Sequence, residues 1–267
     1  STGTGTTTIT YTLTSACYIT QLVTVEPTLN PIVGGTNVCA GSTTPFTNTY
    51  IGGIWSSSNA GVATVGTSGI VTGVAAGSAT ITYRTPVASC NVTKTIIVDP
   101  LPTSIAGVDS VCVGSTQVYT TLTSGGTWSM TDVTLATIAT DGTLTGVSSG
   151  VVTVSYTIGT GCASTLDIRV KALANAGTIT GAAELCLNDS TVITTSGSEG
   201  TWSSSDTTVA KINAEGKVFG MAAGTAVLSY ISVNDCSRDT SIFNMLVKPA
   251  PDAGDLSGNA SLCINYS

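Results

Sequence analysis

The sequence contains no histidine, and charged residues make up only 9% of its 267 positions. Without histidine, the chain cannot form a Ser-His-Asp or Cys-His catalytic site or the histidine-containing zinc sets. Its few carboxylates are scattered, with no calcium-loop motif and no obvious facing pair. We therefore predict that the protein is not an enzyme and that it holds no metal and no cofactor.

Other features are scarce as well, and their scarcity argues against membrane and nucleic-acid roles. No apolar run approaches the ~18 residues that a membrane-spanning helix requires. The 8 basic residues form no positive stripe against the 15 acidic ones. No segment keeps the 3.6-residue period of an amphipathic helix. Threonine, glycine, serine, alanine and valine fill the chain instead, and this composition predicts strands joined by tight turns.

One phrase occurs three times in the chain, each time beginning with a tryptophan and ending with a tyrosine. Its copies occupy residues 55–83, 128–156 and 202–230, and the three tryptophans are 73 and 74 residues apart. A constant period of this length indicates tandem repeats. Within one repeat, short alternating segments are separated by turn residues such as Asp141-Gly142. This pattern predicts about seven strands in an antiparallel β-sandwich of the immunoglobulin type.

The repeat period predicts three complete repeats and two partial ones. Residues 1–17 align without a gap to residues 220–236, so the chain starts just before the last two strands of a repeat. Residues 253–263 match residues 176–186, which open a repeat. The predicted units are residues 1–26, 27–99, 100–171, 172–248 and 249–267. We expect either a window on a longer polymer or partial repeats that neighbouring chains complete.

The repeated phrase resembles the bacterial immunoglobulin-like domains of group 2. The motif is W-S-S-S, V-A-T-V, a hairpin glycine and then V-T-G-V-A-A-G-x-A-T-I-T-Y, and its clearest copy is residues 55–83. The motif V-C-A-G-S-T at residues 38–43, with a later S-C or G-C, looks like the long repeat adhesins of gliding Bacteroidota, which the type 9 system exports. The resemblance implies tandem immunoglobulin-like sandwiches on a bacterial surface.

Eight regularly spaced cysteines predict disulfides and therefore a location outside the cytoplasm. Each complete repeat has one cysteine before its second strand and another at the start of its last strand, and the partial repeats have one cysteine each. The predicted disulfide cysteines are Cys17, Cys39, Cys90, Cys112, Cys162, Cys186, Cys236 and Cys263.

Two pairing schemes for these cysteines remain open. Links within a repeat would join Cys39 to Cys90 and likewise in the other repeats, whereas links between consecutive repeats would join Cys39 to Cys162 and Cys112 to Cys236. In an immunoglobulin-like sandwich the two sites of one repeat lie ~20 Å apart, at opposite ends of a strand. A disulfide needs Cα atoms within ~7 Å, which favours links between repeats. Under either scheme, we expect the partners of Cys17 and Cys263 to lie in another chain or beyond this segment of the same chain.

The repeated aromatic residues are predicted to lie in the cores of the sandwiches. A tryptophan at the same place in every sandwich is more often a core residue than a platform on which sugars stack. The tyrosines that close the repeated phrase have the same interpretation. The predicted core residues are Trp55, Trp128, Trp202, Tyr83, Tyr156 and Tyr230.

The predicted surface is poor in charge for a series of thin sandwiches. The mean hydropathy is +0.39, and strands with few charged side chains invite contacts with neighbouring chains. Either glycans cover the hydroxyl groups or the chains pack side by side, and we predict a homo-oligomeric fibre. The resemblance to Bacteroidota proteins also implies O-glycosylation after aspartate, with Ser110, Ser190 and Thr207 as candidate acceptors.

Together, these sequence features predict a structural repeat segment of a secreted cell-surface filament or stalk adhesin. Its role would be mechanical, in attachment, gliding or prey capture, and its location extracellular, on the bacterial cell surface. Its partners would be other copies of itself and, through regions outside this segment, a host, prey or substratum surface. The alternative is a set of glycan-binding modules of an adhesin or a secreted polysaccharide-degrading enzyme, which would expose aromatic side chains on one face of each repeat.

Overall fold

A computed structural model describes residues 5–25, 28–86 and 90–250, and these residues form β-strands joined by turns, without a helix. The chain divides into two compact units. The first unit consists of Ser1–Asp109, Gln117–Leu144 and Val151–Ile168. The second unit consists of Ser110–Thr116, Thr145–Gly150 and Arg169–Ser267. The division therefore passes through the second predicted repeat. The predicted partial repeat at 249–267, with Cys263, lies outside the described residues apart from its first two positions.

The first unit begins with a β-hairpin in which β1 (Gly5–Thr12) pairs antiparallel with β2 (Tyr18–Val25). The turn between them is closed by a hydrogen bond from the Leu13 amide to the Cys17 carbonyl at 2.8 Å. Every side chain of β1 is exposed. The hairpin thus has the two strands that the alignment predicted for the end of a repeat, and its faces remain uncovered within the unit.

A complete sandwich follows in the first unit. Its strands are β3 (Asn37–Cys39), β4 (Thr43–Pro45), β5 (Ile54–Ser57), β6 (Ala63–Val65), β7 (Ile70–Gly73), β8 (Gly77–Arg84) and β9 (Asn91–Asp99). They form a four-stranded sheet in the order β3-β9-β8-β5 and a three-stranded sheet in the order β4-β7-β6. All pairs are antiparallel except β3 with β9, which run parallel.

The core of this sandwich arises from side chains that alternate along the strands. Ala79, Ile81 and Tyr83 point inward from β8, while the intervening residues are partly exposed. Phe46 and Val71 meet them from the three-stranded sheet side, and both are almost fully buried. Burying one large aliphatic or aromatic side chain stabilises a fold by about 1.5–3 kcal/mol, so this alternation holds the two sheets together.

The second repeat has the same strands in the same order along the chain. They are β10 (Ser110–Cys112), β11 (Thr116–Val118), β12 (Thr127–Met130), β13 (Ala136–Ile138), β14 (Thr143–Gly146), β15 (Gly150–Thr157) and β16 (Ala163–Lys171). In the first unit, β12 pairs antiparallel with β15, and Trp128 lies opposite Tyr156. In the second unit, β10 pairs parallel with the end of β16, and Cys112 lies opposite Lys171.

The second unit also contains the third repeat, which forms a complete sandwich. Its strands are β17 (Ile179–Thr180), β18 (Glu184–Cys186), β19 (Ser190–Val192), β20 (Thr194–Thr195), β21 (Gly200–Ser204), β22 (Ala210–Ile212), β23 (Lys217–Gly220), β24 (Gly224–Val233) and β25 (Arg238–Lys248). The two main sheets have the orders β18-β25-β24-β21 and β19-β23-β22, and β17 pairs with β20. Ile193, Leu228 and Met245 are central to its core.

The all-β fold of tandem immunoglobulin-like sandwiches is confirmed, with one difference in strand direction. The sequence predicted antiparallel sheets, but in each repeat the three-residue strand that ends in the first cysteine pairs parallel with the last strand. The reason is topological: this cysteine-ending strand lies beside the last strand, at the edge of the larger sheet, and both run toward the end where the chain leaves the repeat. This parallel pair positions the cysteines.

Candidate functional site: the disulfides between repeats

Two disulfides join consecutive repeats. Cys39 is bonded to Cys162 within the first unit, and Cys112 is bonded to Cys236 within the second. In both bonds the Cα atoms are 5.6 Å apart, within the range that disulfides require. The bonded cysteines are separated by 123 and 124 positions, so each link reaches from one repeat into the next.

The parallel strand pair brings the first cysteine of each repeat to the point where the chain leaves that repeat. Cys39, the last residue of β3, lies opposite Asp99, the last residue of β9. The Ala40 amide then donates a hydrogen bond to the Asp99 carbonyl at 3.0 Å. In the second unit, the Val113 amide donates to the Lys171 carbonyl at 3.0 Å in the same way. The cysteine side chain is therefore placed where it can bond to the next repeat along the chain.

The second cysteine of each link comes from the turn before the last strand of the following repeat. The Ile158 amide donates to the Cys162 carbonyl at 3.0 Å and closes the turn that precedes β16. Cys162 is only 1% exposed. In the third repeat, the Asn234 side chain accepts a hydrogen bond from the Cys236 amide at 2.9 Å and shapes the corresponding turn. Both turns hold the cysteine at the entry end of their repeat.

The within-repeat scheme is excluded for the first repeat by strand length. Cys90 precedes the first residue of β9, whereas Cys39 lies opposite the last residue of that nine-residue strand. Nine residues of extended strand span about 30 Å. A disulfide tolerates at most ~7 Å between Cα atoms, so these two cysteines cannot meet in this fold.

Hydrogen bonds to the connecting segment accompany each disulfide. In the first unit, the Ser164 hydroxyl donates to the Pro102 carbonyl at 2.6 Å. In the second unit, the Asn234 side-chain amide donates to the Ala172 carbonyl at 3.0 Å. Each bond fastens the end of a repeat that carries the second cysteine to the segment between two repeats. The disulfide is thus part of a wider contact between neighbouring repeats.

An ion pair lies beside the second disulfide. The Lys171 ammonium is 3.0 Å from the Asp235 carboxylate, and Asp235 precedes Cys236 in the turn. The Asp235 side chain is 84% exposed, so solvent screens the pair. Exposed ion pairs contribute only about 0–1 kcal/mol. The pair therefore orients the turn, while the covalent bond supplies the strength of the link.

Three cysteines have no disulfide partner among the described residues. Cys17, Cys90 and Cys186 are all exposed. Cys263, the eighth predicted disulfide cysteine, lies outside the described residues. The described part of the chain contains no cluster of three or more residues that could hold a metal ion.

The tyrosines of the repeated phrase lie in the cores, and their hydroxyl groups are hydrogen-bonded. Tyr83, Tyr156 and Tyr230 are at most 8% exposed. The Tyr83 hydroxyl donates to the Tyr50 carbonyl and accepts from the Gly53 amide, both at 2.8 Å. A buried phenol needs such partners, because an unpaired buried hydroxyl costs ~1–3 kcal/mol.

The tryptophans lie at the edge of the cores rather than at their centres. Trp55, Trp128 and Trp202 are half-buried, and each packs against the tyrosine opposite it, with ring centroids 4.4–4.8 Å apart. The cause is that β5, β12 and β21 are the outermost strands of their sheets. Their side chains cover the core from one side and keep the other side in contact with solvent.

A glycine lies two positions before each tryptophan, a spacing that the predictions from the sequence did not use. A Cβ atom on Gly53, Gly126 or Gly200 would overlap the ring of the tyrosine on the neighbouring strand. The tyrosine can lie flat over the strand only because these positions have no side chain. In a chain with 30 glycines, only the repeated G-x-W spacing could have revealed this requirement.

The candidate glycosylation sites differ in exposure. Ser190 and Thr207 are exposed, whereas Ser110 is partly buried in β10. Next to Thr207, the Asp206 carboxylate accepts hydrogen bonds from the Thr208 hydroxyl at 2.6 Å and amide at 2.9 Å. The hydroxyl bond and then the amide bond lower the pKa of Asp206 below its usual value. This carboxylate therefore stabilises a turn, a role that leaves the Thr207 hydroxyl accessible.

Grooves beside two of the tryptophans are candidate surfaces for glycan binding, the alternative function considered from the sequence. In the first repeat, Phe46, Tyr50, Trp55 and Tyr83 contribute to one groove. The groove of the second repeat is lined by corresponding residues and by threonine hydroxyls, namely Tyr119, Thr120, Thr121, Thr123, Ser124, Trp128, Asp141 and Tyr156. Both grooves lie in the first unit and combine a ring edge with polar groups.

The strand order of the complete sandwiches defines the class of protein: an all-β chain built of tandem immunoglobulin-like domains. More specifically, residues 19–96 match the family described as bacterial Ig-like domain (group 2). This match covers nearly all of β2 and the first sandwich as far as Ile96 in β9. In the described part of the chain, no helix is long and apolar enough to cross a membrane.

Comparisons with individual proteins give one sequence relative and several distant structures. The chain is 30% identical over 221 residues to Ice-binding protein 1 of Shewanella frigidimarina (strain NCIMB 400), covering 73% of this chain and 24% of that protein. It therefore spans about a quarter of that relative. Invasin, a bacterial integrin-binding protein, is 16% identical with a TM-score of 0.35, and 92% of this chain covers 65% of it. Domains 1–6 of surface layer protein SbsC are 13% identical with a TM-score of 0.29, and 93% of this chain covers 45% of them.

Proposed function

We propose that this chain is a load-bearing repeat segment of a secreted filament or stalk adhesin on a bacterial surface. The observation that carries the proposal is the pair of disulfides between consecutive repeats. A disulfide within one domain stabilises that domain alone. Links that join each repeat to the next instead limit how far the whole chain can be extended.

The two disulfides overlap along the chain, which makes them suited to tension. One covalent loop spans residues 39–162 and the other spans residues 112–236, so residues 112–162 belong to both. Because of this overlap, breaking one disulfide does not release the whole chain. A tensile element of this kind serves attachment, gliding or prey capture by transmitting force from a surface to the cell.

The same disulfides support a location outside the cytoplasm, since such bonds persist in oxidising compartments. We propose further that the chain packs with copies of itself in a fibre. Large apolar side chains remain uncovered in both units, with Ile51 and Leu122 more than 90% exposed in the first and Ile242 67% exposed in the second. Sedimentation of the purified oxidised chain at physiological salt tests this part, and a single monomeric species at all concentrations would contradict it.

The mechanical role is tested on cells that display the adhesin. Replacing the four bonded cysteines by alanine removes both links and leaves every other residue in place. We expect variant cells with the same surface amount of protein to detach at lower shear than wild-type cells. Replacing four exposed threonines of the first hairpin by alanine, namely Thr6, Thr8, Thr10 and Thr20, provides a control with the same number of substitutions. Equal detachment of wild-type and four-cysteine variant cells would refute the load-bearing role.

Glycan binding is the second candidate, because two repeats place a half-buried tryptophan in a groove with polar groups. Aromatic rings that face a groove can stack on sugar rings. Titration with oligosaccharides, followed by tryptophan fluorescence, tests this function. Quenching that disappears when Trp55 and Trp128 are replaced by phenylalanine would support glycan binding, and an unchanged spectrum would dismiss it.

A further inference from the structure

The unbonded cysteines occupy the same two structural positions as the bonded ones. Cys186 ends the three-residue strand that pairs parallel with the last strand of its repeat, as Cys39 and Cys112 do. Cys90 lies just before the last strand of its repeat, as Cys162 does. In both bonded pairs, a cysteine of the first kind is joined to one of the second kind. Each unbonded cysteine is therefore equivalent to one member of the two disulfides that the chain already contains.

The backbone around Cys186 reproduces the geometry of the bonded positions. Cys186 lies opposite Lys248 in a parallel pair, just as Cys112 lies opposite Lys171. The Leu187 amide donates to the Lys248 carbonyl at 2.9 Å, which matches the corresponding bonds after Cys39 and Cys112. The thiol is exposed at the end of its repeat where the chain leaves. Its geometry is thus already that of a bonded cysteine.

Cys90 accepts the same kind of backbone hydrogen bond as a bonded cysteine, with one more residue between the two partners. The Thr85 amide donates to the Cys90 carbonyl at 3.0 Å, and the Ile158 amide donates to the Cys162 carbonyl at 3.0 Å. The two positions differ in exposure, since Cys162 is 1% exposed whereas Cys90 is exposed. The neighbouring repeat that covers Cys162 has no counterpart over Cys90 among the described residues. Cys17 occupies a third turn of this kind, with a bond of 2.8 Å from the Leu13 amide.

We propose that Cys186 and Cys90 are attachment points for further repeats of the same class. Cys186 forms a disulfide with the cysteine in the turn before the last strand of a following repeat. Cys90 forms a disulfide with the cysteine that ends the parallel-paired strand of a preceding repeat. This inference deepens the proposed function, because it names the partner that continues the load-bearing path. It rests, however, on the two links already formed and not on the bearing of load.

The bond forms by oxidation of two thiols. A thiolate of one repeat attacks a small-molecule disulfide such as oxidised glutathione, and one glutathione thiol leaves. The thiolate of the second repeat then attacks the mixed disulfide and releases the other glutathione thiol. Two protein thiols become one disulfide, and one oxidised glutathione becomes two reduced ones. The oxidant is supplied by the oxidising compartment in which such links form.

The first arm of the test uses two variants of the full chain that keep both native links. One variant keeps Cys186 and carries C17S, C90S and C263S. The other keeps Cys90 and carries C17S, C186S and C263S. The variants are mixed in equal amounts in a glutathione redox buffer, and the cross-linked peptides are counted by mass spectrometry. Random pairing would give twice as many mixed dimers as either homodimer, whereas we expect at least a tenfold excess of mixed dimers.

The second arm makes the junction covalent. A second copy of residues 27–248 is joined directly after Lys248, which places Cys186 and the Cys90 of the second copy at nearly the spacing of the native links. We expect a disulfide between these two cysteines and the loss of two free thiols. A C186S version of the extended chain is the control, because it keeps the native links and should retain the free thiol of the second Cys90.

Each outcome decides the matter. A selective link in the mixture identifies a second copy of the chain as a sufficient partner, and a link only in the extended chain identifies a repeat of the same polypeptide. The inference is overturned if the mixture gives no selective link and the extended chain also leaves Cys186 unbonded or bonds it elsewhere. If the link forms but cells without links resist shear normally, the mechanical role fails and this inference stands.

Discussion

The overlap of the two disulfides makes a quantitative prediction about extension under force. When the fully unfolded oxidised chain is pulled from its ends, the shortest covalent path from Cys39 to Cys236 crosses to Cys162, returns along the chain to Cys112 and crosses again. That path contains 50 residue steps. At ~3.3–3.6 Å per residue, it limits the distance between Cys39 and Cys236 to about 165–180 Å. Without disulfides, the same two positions are 197 steps apart and can reach about 650–710 Å.

Removing one link at a time exposes the overlap. Without the first link, the shortest path runs along the chain from Cys39 to Cys112, which is 73 steps, and then crosses to Cys236. This lengthens the fully extended chain by only about 80 Å. Removing the second link alone gives 74 steps and nearly the same gain. Removing both lengthens the chain by about 500 Å, roughly three times the sum of the single effects.

Optical tweezers measure these lengths directly after all domains have unfolded. The variants are C39A with C162A, C112A with C236A, and all four together, in a chain whose other cysteines are serine so that no bonds exchange. That background chain with both native links intact is the control. With Cys90 and Cys186 replaced by serine, links within single repeats would leave only Cys112 joined to Cys162, and each of the three variants would remove that one link. All three variants would then lengthen the chain by the same amount, about 165–180 Å. The same gain in all three variants would refute the overlap that the structure shows.

Three further predictions concern the sandwiches themselves. Replacing Gly126 with alanine should destabilise the chain by about 1–3 kcal/mol in urea unfolding, because the added methyl group overlaps the Tyr156 ring. A Gly159→Ala control, with nothing within 4 Å, should change little, and equal effects would contradict this reasoning. Tyr83→Phe should cost about 0.5–1.5 kcal/mol through its lost hydroxyl bonds, and an unchanged urea midpoint would argue against them. The third prediction concerns the lowered pKa values of Asp132, Asp141 and Asp206. Their contribution is complete above the unfolded value of about 3.9 and is lost as the pH falls through the folded values. The urea concentration at the unfolding midpoint should therefore decrease as the pH is lowered below about 4. Replacing all three aspartates by asparagine should make this decrease smaller.

The repeats and their strands could be predicted because their signals are local. The constant spacing of Trp55, Trp128 and Trp202 gave the period, and turns such as Asp141-Gly142 marked the hairpins. In the structure Gly142 has a φ of 85°, which favours glycine at that turn. Such features depend on a few adjacent residues, so they can be recognised without knowledge of the three-dimensional arrangement.

The properties that depend on strand neighbours were harder to predict. The central position expected for Trp55 differs from the observed one because β5 is the outermost strand of its sheet, and sheet order is not encoded in the strand itself. The disulfide pairing remained open for the same reason. The sequence around Cys39, with Ser42 three residues later, is the same whichever cysteines are paired. Only the pairing of β3 with β9 shows which end of the sandwich Cys39 occupies.

The direction of one short strand therefore determines which repeats become linked. In each repeat, one short strand has only three residues that pair parallel with the last strand, and the cysteine is the last of these three. If that pair were antiparallel, the same cysteine would lie near the entry end of the repeat, close to the turn that carries Cys90 or its equivalents. A bond within the repeat would then be favoured, and force would pass from one repeat to the next through the connecting backbone alone. Because the pair is parallel, each repeat offers one thiol to the next repeat and one to the previous repeat. A series of such repeats can thus form a link at every junction from the same two cysteine positions.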